Sequence, residues 1–284
     1  MGYSEQSTEG KTRHHRGEMI AVVSAKGGVG KTVLSVNLAV ALSKKNVRVS
    51  MIDGDFQFGD VTLSMDLHST FTIKDVVEGI ESLDEYSLAS YLSHHESGVK
   101  ILSAPDRPEY ADMIKTDYLN KIIDLMLLQT DYLIVDTGVG FHEQTLNIME
   151  KADQIMVVTN LEMSTLKNTK LMIETFETLG LLNKVQVVIN RATMESVIQA
   201  TDVPDILGEE SPIYIPNDFQ LVSQSLNVGI PFVLKHSTTD VAKSIFKMAE
   251  LISSRREITL FKPKGTSFFK SLFSKNKNLK ERAE

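Results

Sequence analysis

The feature that most restricts this chain is the loop Ala25-Lys26-Gly27-Gly28-Val29-Gly30-Lys31-Thr32, set between the apolar run Met19 to Ser24 and a stretch carrying Leu34, Leu38, Val40, Ala41 and Leu42 at helical spacing. Strand, glycine loop and helix in that order form the frame of a phosphate-binding loop. Glycines let backbone N–H groups turn inward around phosphate oxygens, and the following helix presents its positive end to them. Lys31 then offsets β/γ-phosphate charge, and the Thr32 hydroxyl is a ligand for Mg²⁺. Gly27, Gly28, Val29, Gly30, Lys31, Thr32 and Val33 are therefore the expected cofactor-binding residues.

From Met19 onward short β-branched runs alternate with longer amphipathic patterns. That alternation predicts a three-layer, doubly wound and mainly parallel sheet, with ligands at the carboxyl ends of its strands. Strands are expected at Ile20 to Ser24, Arg48 to Asp53, Val99 to Ala104, Tyr132 to Asp136, Gln154 to Thr159, Val185 to Asn190 and Ile213 to Pro216. Helices are expected at Lys31 to Lys45, Asp117 to Gln129, Glu143 to Glu150, Glu162 to Leu179, Asp218 to Leu226 and Thr239 to Arg256. Residues 1–18 are polar and read as a disordered arm, residues 19–256 as one P-loop domain, and 257–284 as a basic amphipathic tail. The 284 residues contain no Cys, which removes disulfides, thiolate metal sites and cysteine nucleophiles. No apolar run reaches the roughly 18 residues of a membrane span, so the expected location is the cytoplasm.

Three further places carry chemistry. The second strand runs into Asp53-Gly54-Asp55-Phe56-Gln57-Phe58-Gly59-Asp60, and carboxylates just past a strand end beside a phosphate loop are placed to hold Mg²⁺ waters or orient a nucleophilic water. Asp131 to Asp136 is an apolar strand ending in an acid, the Walker B arrangement, with Asp136 expected to take a metal-bound water. Gly138 and Gly140 then make a flexible switch. Thr32, Asp55 and Asp136 are accordingly the expected metal residues. Val188-Ile189-Asn190-Arg191 closes a later strand with an amide that can donate to and accept from adenine, and Pro216-Asn217-Asp218 follows the next strand.

Ala25 stands where the ordinary loop motif has Gly, and Lys26 follows it at once. The resulting Lys-Gly-Gly-Val-Gly-Lys-Thr resembles the deviant Walker A of the MinD/ParA family of ATPases. The resemblance implies ATP and Mg²⁺ as cofactors, an ATP-dependent homodimer, and slow ATP hydrolysis. It assigns Lys26 to the partner's phosphates, in the manner of an arginine finger in trans, and Asp55 to preparing the attacking water. Lys26, Asp55 and Lys31 are thus the expected catalytic residues. It also places Asn190 against the adenine, with Pro216, Asn217 and Asp218 on its other side, and Arg191 is expected beside Asn190 among the cofactor-binding residues. Gly138 stands where the family usually has Pro, which implies a less rigid switch II.

Several stretches are similar to the CpaE/TadZ branch, which positions tight-adherence (Flp) pilus machinery. They are Gln57 to Val61, His95 to Pro105, Ile215 to Asp218 and Asn227 to Pro231. A protein partner in pilus assembly is implied, with a MinD- or FlhG-like regulator of division site or flagellum as the alternative. That branch often has a receiver-like domain ahead of the ATPase, whereas only a short polar arm precedes it here.

Charge is uneven. From Phe261 to Glu284 seven basic residues face two Glu, a net of +5, against a whole-chain charge of −7, so the preceding body carries −12. An acidic body argues against nucleic acid as partner, and with it against a ParA-like partition role. In the tail Phe268, Phe269, Leu272 and Phe273 form one apolar stripe if helical, surrounded by Lys270, Lys275 and Lys277. This predicts peripheral binding to the inner leaflet of the plasma membrane, made effective by two copies per dimer.

Overall fold

The computed structural model describes residues 16–208 and 211–261. Its strands are β1 (Glu18–Val23), β2 (Val49–Gly54), β3 (Ser93–His94), β4 (Lys100–Leu102), β5 (Tyr132–Thr137), β6 (Gln154–Thr159), β7 (Val185–Ile189) and β8 (Ile213–Tyr214). They form one sheet in the order β3-β4-β2-β5-β1-β6-β7-β8, parallel throughout except for β3 against β4. The helices are α1 (Lys31–Ser43), α2 (Ile73–Glu78), α3 (Glu85–Ala89), α4 (Thr116–Gln129), α5 (Glu143–Lys151), α6 (Met163–Thr178), α7 (Val203–Leu207), α8 (Phe219–Val228), α9 (Phe232–Lys235) and α10 (Asp240–Phe261).

Alternation along β1 shows why the sheet is covered twice. Met19, Ala21 and Val23 pack into one core with Ile122 and Met126 of α4, Ile148 of α5 and Phe176 of α6. Val22, pointing the other way, lies with Leu34 and Leu38 of α1 and Met248 of α10. Strands β2 and β5 are buried along their whole length, as expected of a parallel sheet closed on both faces.

The strand order reverses at β1, with β5 on one side and β6 on the other. Such a switch point opens a crevice at the carboxyl ends of the strands. The glycine loop leaves β1 there.

The structure differs from the sequence reading at the margins. Strand β1 begins at Glu18, ahead of the expected Ile20. Arg16 pairs with Asp153 at 2.8 Å, the Asp153 carboxylate also accepts the Met19 N–H at 2.8 Å, and a Cβ on Gly17 would collide with the Thr130 carbonyl. Helix α10 runs to Phe261, past the expected end at Arg256. Strand β3 and helices α2, α3, α7 and α9 had no counterpart, each being too short to show a period. Two of them carry local start signals: Asp75 accepts the Thr72 N–H at 2.7 Å, and Asp84 accepts the Ser87 N–H at 2.8 Å. Two compact units are distinguished, one up to Ala249 and one from Glu250. No helix among the described residues is long and apolar enough to cross a membrane. The stripe of Phe268, Phe269, Leu272 and Phe273, like residues 1–15, lies outside the described residues.

Candidate functional site

The loop after β1 ends in Gly30, which caps α1 at φ 93°, ψ 25°. This left-handed conformation suits glycine, and a Cβ there would fall on the side-chain amide of Asn190. Above the loop opens a cavity of about 470 Å³. It gathers Gly27 to Val33, Asp55, Asn190, Arg191, Pro216, Asn217 and Asp218 from four separate parts of the chain.

Two predicted site residues do not line it. Asp136 is 1% exposed and lies beneath the loop, accepting from the Thr32 hydroxyl at 2.7 Å and the Ser35 hydroxyl at 2.8 Å. Lys31, itself buried, donates to the Thr137 carbonyl and lies 3.5 Å from Asp136. Lys26 turns aside to Glu162 at 3.0 Å and Ser164 at 2.9 Å. That hydrogen bond, with a second from Asn160, holds the Glu162 carboxyl below its ordinary pKa.

The acidic loop after β2 is organised from below. Asp53 faces Asp136 across the β2–β5 register and accepts the N–H of Val61 at 3.0 Å and of Asp55 at 3.3 Å. Burial, and then the Asp136 charge, push the Asp53 carboxyl well above the usual range. Burial and the neighbouring Asp55 and Asp136 raise Asp60 as well. Gly59 presses so closely on the Asp53 carboxylate that no side chain fits there. Asp55 is left facing the cavity, its Oδ1 accepting the Phe58 N–H at 3.2 Å. A Cβ on Gly138 would lie 3.9 Å from Asp55 Oδ1, an ordinary contact, so this position has room for a side chain.

The residues present fit a nucleotide triphosphate. The Ser24 hydroxyl is buried, lines the cavity and has no hydrogen-bond partner among the described residues. The backbone N–H groups of Gly28, Val29 and Gly30 are likewise taken by no acceptor among the described residues. Four donors unspent at a helix N-terminus, beside a lysine and a threonine, suit an anion and its metal.

At the far end of the cavity Asp218 caps α8 by accepting the Leu221 N–H at 3.1 Å, and the Asn217 N–H donates to Thr193 at 3.0 Å. Sequence reasoning missed the apolar wall here. Phe219, Val222 and Leu226 line the cavity from one face of α8, and Phe58 closes on it from the acidic loop. Their spacing of three and four residues was legible. Its usual meaning is a core-facing stripe, whereas α8 has no buried residue.

A family described as an AAA domain matches residues 17–189. An uncharacterised ATP-binding protein of Methanocaldococcus jannaschii is 28% identical, over 90% of this chain and 97% of its own length. The septum site-determining protein MinD of Thermotoga maritima is 28% identical, over 83% of this chain and 88% of its own. Among solved structures, MinD of Pyrococcus horikoshii complexed with Mg-ADP superposes with a TM-score of 0.74 at 25% identity, covering 85% of this chain and 98% of that one. The chain belongs to the MinD/ParA family of P-loop ATPases. The Mg-ADP in the Pyrococcus horikoshii MinD structure shows that members of this family bind nucleotide and magnesium.

Proposed function

We propose that the protein is a Mg-ATP-dependent switch that dimerises face to face, hydrolyses ATP slowly, and in its dimeric state positions a membrane-associated assembly. The observation that carries this reading is the junction of Lys31, Thr32 and Asp136 beneath a loop with unspent N–H donors. When bound, Mg-ATP supplies the transferable phosphoryl group and the metal that neutralises it. Lys31 would offset the charge of the outer phosphates, and the Thr32 hydroxyl, which here donates to Asp136, would hold the metal. Asp136, behind it, would help hold that metal through its carboxylate. Asp55 orients the attacking water at the mouth of the cavity. Asn190 and Arg191 adjoin the base on one side, and Pro216, Asn217 and Asp218 on the other.

Lys26 completes the site of the partner copy. To do so it must leave Glu162, and the exposed pair costs little to open: both side chains are nearly half accessible, at 42% and 49%. Light scattering with ATP tests this directly. Asp55→Ala is expected to accumulate as a dimer, and Lys26→Ala to bind ATP but remain monomeric. Equal mass for the two variants would overturn the trans-lysine reading.

For the assembly positioned, the stretches similar to CpaE/TadZ favour Flp pilus machinery. A second reading, a division-site regulator, is favoured by the relatives named for septum placement. Deletion of the gene separates them: loss of pili with normal septa supports the first, misplaced septa the second. The tail, through Phe268, Phe269, Leu272 and Phe273 with nearby lysines, is the proposed attachment to the inner leaflet. Co-sedimentation with anionic vesicles, for the whole chain and for one ending at residue 256, tests it. Equal sedimentation of both would remove the tail as anchor.

A further inference from the structure

We infer that Asn190 and Arg191 form a brace behind the phosphate loop, so that they set its affinity for phosphate itself and do not act on the base alone. This deepens the proposed ATP site and rests on it. The Asn190 side-chain amide donates to the Val29 carbonyl at 2.8 Å, and its oxygen accepts the Arg191 N–H at 3.0 Å. Arg191 reaches the neighbouring carbonyl, that of Gly28, at 3.4 Å. Two consecutive loop carbonyls are thus held by two consecutive residues that follow β7.

In a planar trans peptide the C=O and the following N–H point in opposite directions. Holding the Val29 carbonyl therefore aims the Gly30 N–H the other way, and holding the Gly28 carbonyl does the same for the Val29 N–H. Those N–H groups are two of the three unspent loop donors. A donor on the carbonyl also polarises the peptide, which strengthens what its N–H gives to an anion.

The placement is tightly specified. Asn190 is 9% exposed, its own N–H is tied to the Thr159 carbonyl at 2.8 Å, and only glycine fits opposite it at position 30. Arg191 holds a left-handed φ of 55°, unusual for a residue with a side chain. The Asn190 amide, with its nitrogen on one loop carbonyl and its oxygen on the backbone, keeps one N–H and one lone pair for the base. Base and phosphate recognition then share one side chain.

Binding of inorganic tripolyphosphate, which has no base, separates the two roles. With Mg²⁺ present, affinities of the whole chain for ATP and for tripolyphosphate are measured by calorimetry, alongside thermal unfolding of the ligand-free proteins. The brace predicts that Asn190→Ala weakens both ligands by a similar factor of about ten, the scale of one lost buried hydrogen bond. Arg191→Ala, which removes the longer contact, should weaken both by about threefold. Loss of ATP affinity with tripolyphosphate binding unchanged in Asn190→Ala would show a base reader only and overturn the brace. If Asn190→Ala proves too unstable to assay, Asn190→Asp decides. It keeps the acceptor for Arg191 N–H but loses the donor to Val29, so undiminished tripolyphosphate affinity in it would also overturn the brace. If the wild-type chain binds tripolyphosphate no better than Lys31→Ala does, the phosphate site itself is wrong and the brace falls with it.

Discussion

The two ends of the proposed nucleotide cavity, one for phosphates and one for the base, are built by opposite means. At the phosphate end the polar side chains are buried and tied together. Lys31, Thr32 and Ser35 converge on Asp136, which comes from a central strand buried on both faces. At the base end the wall is α8, a helix with no buried residue, beside the two-residue edge strand β8. Phe219 there is 67% exposed and Phe58 opposite is 74% exposed. A buried network in low dielectric has one arrangement and a high cost for losing a member, whereas an exposed apolar wall yields. The phosphate end should therefore respond to single changes all or none, and the base end by degrees.

The largest effect is expected from Lys31→Ala. Removing the cation should weaken ATP binding by roughly 100-fold or more, since hydrogen bonds to charged groups contribute about 1.5–3 kcal/mol each and Lys31 is placed to make more than one. Equilibrium dialysis reads this, and near wild-type affinity would break both the contrast and the site.

Gly30→Ala comes next. A side chain at φ 93° costs about 1–2 kcal/mol in the left-handed region. The added Cβ must also displace the Asn190 amide. The melting temperature should fall by several degrees and ATP affinity by about tenfold or more. An unchanged affinity would mean that the loop adapts, and that the phosphate end is softer than its burial implies.

Asp218→Ala tests the yielding end. Losing the cap of α8 should cost about 1 kcal/mol, or about 2–4 °C in melting temperature. ATP affinity should drop only a few-fold and tripolyphosphate affinity should not move. A drop as deep as that of Lys31→Ala would erase the distinction between the two ends.

The smallest effect belongs to the exposed pair beside the site. Lys26 holds the Glu162 carboxyl below its ordinary range. A depressed carboxylate contributes stability that is present above its unfolded range and is lost as pH falls through its folded value. Glu162→Gln should therefore melt slightly below wild type at neutral pH and together with it in acid. A difference that persists in acid would mean that Glu162 acts by packing instead.

Much of the phosphate end was legible in the sequence because its elements are local. A strand, a glycine turn and a helix start stand within one short run, and the acids at the ends of β2 and β5 follow apolar strands that declare themselves. The base end was less legible. Phe219, Val222 and Leu226 show helical spacing, yet spacing alone cannot tell a stripe that faces a core from one that faces a cavity. Strand β3 and the short helices escaped because a period needs more residues than they have.

Order and composition of segments thus determined by themselves that this chain makes a parallel, doubly wound sheet with a phosphate loop leaving one strand. Alternating apolar faces must be covered on both sides, and glycines with a lysine and a threonine at a helix start have a limited set of uses. Only the tertiary structure decided which distant side chains complete the loop. Asn190 meets the Val29 carbonyl across 161 positions, and Lys26 meets Glu162 across 136. Those contacts depend on which strands become neighbours, and strand order follows from the packing of both helical layers at once, which no local pattern carries.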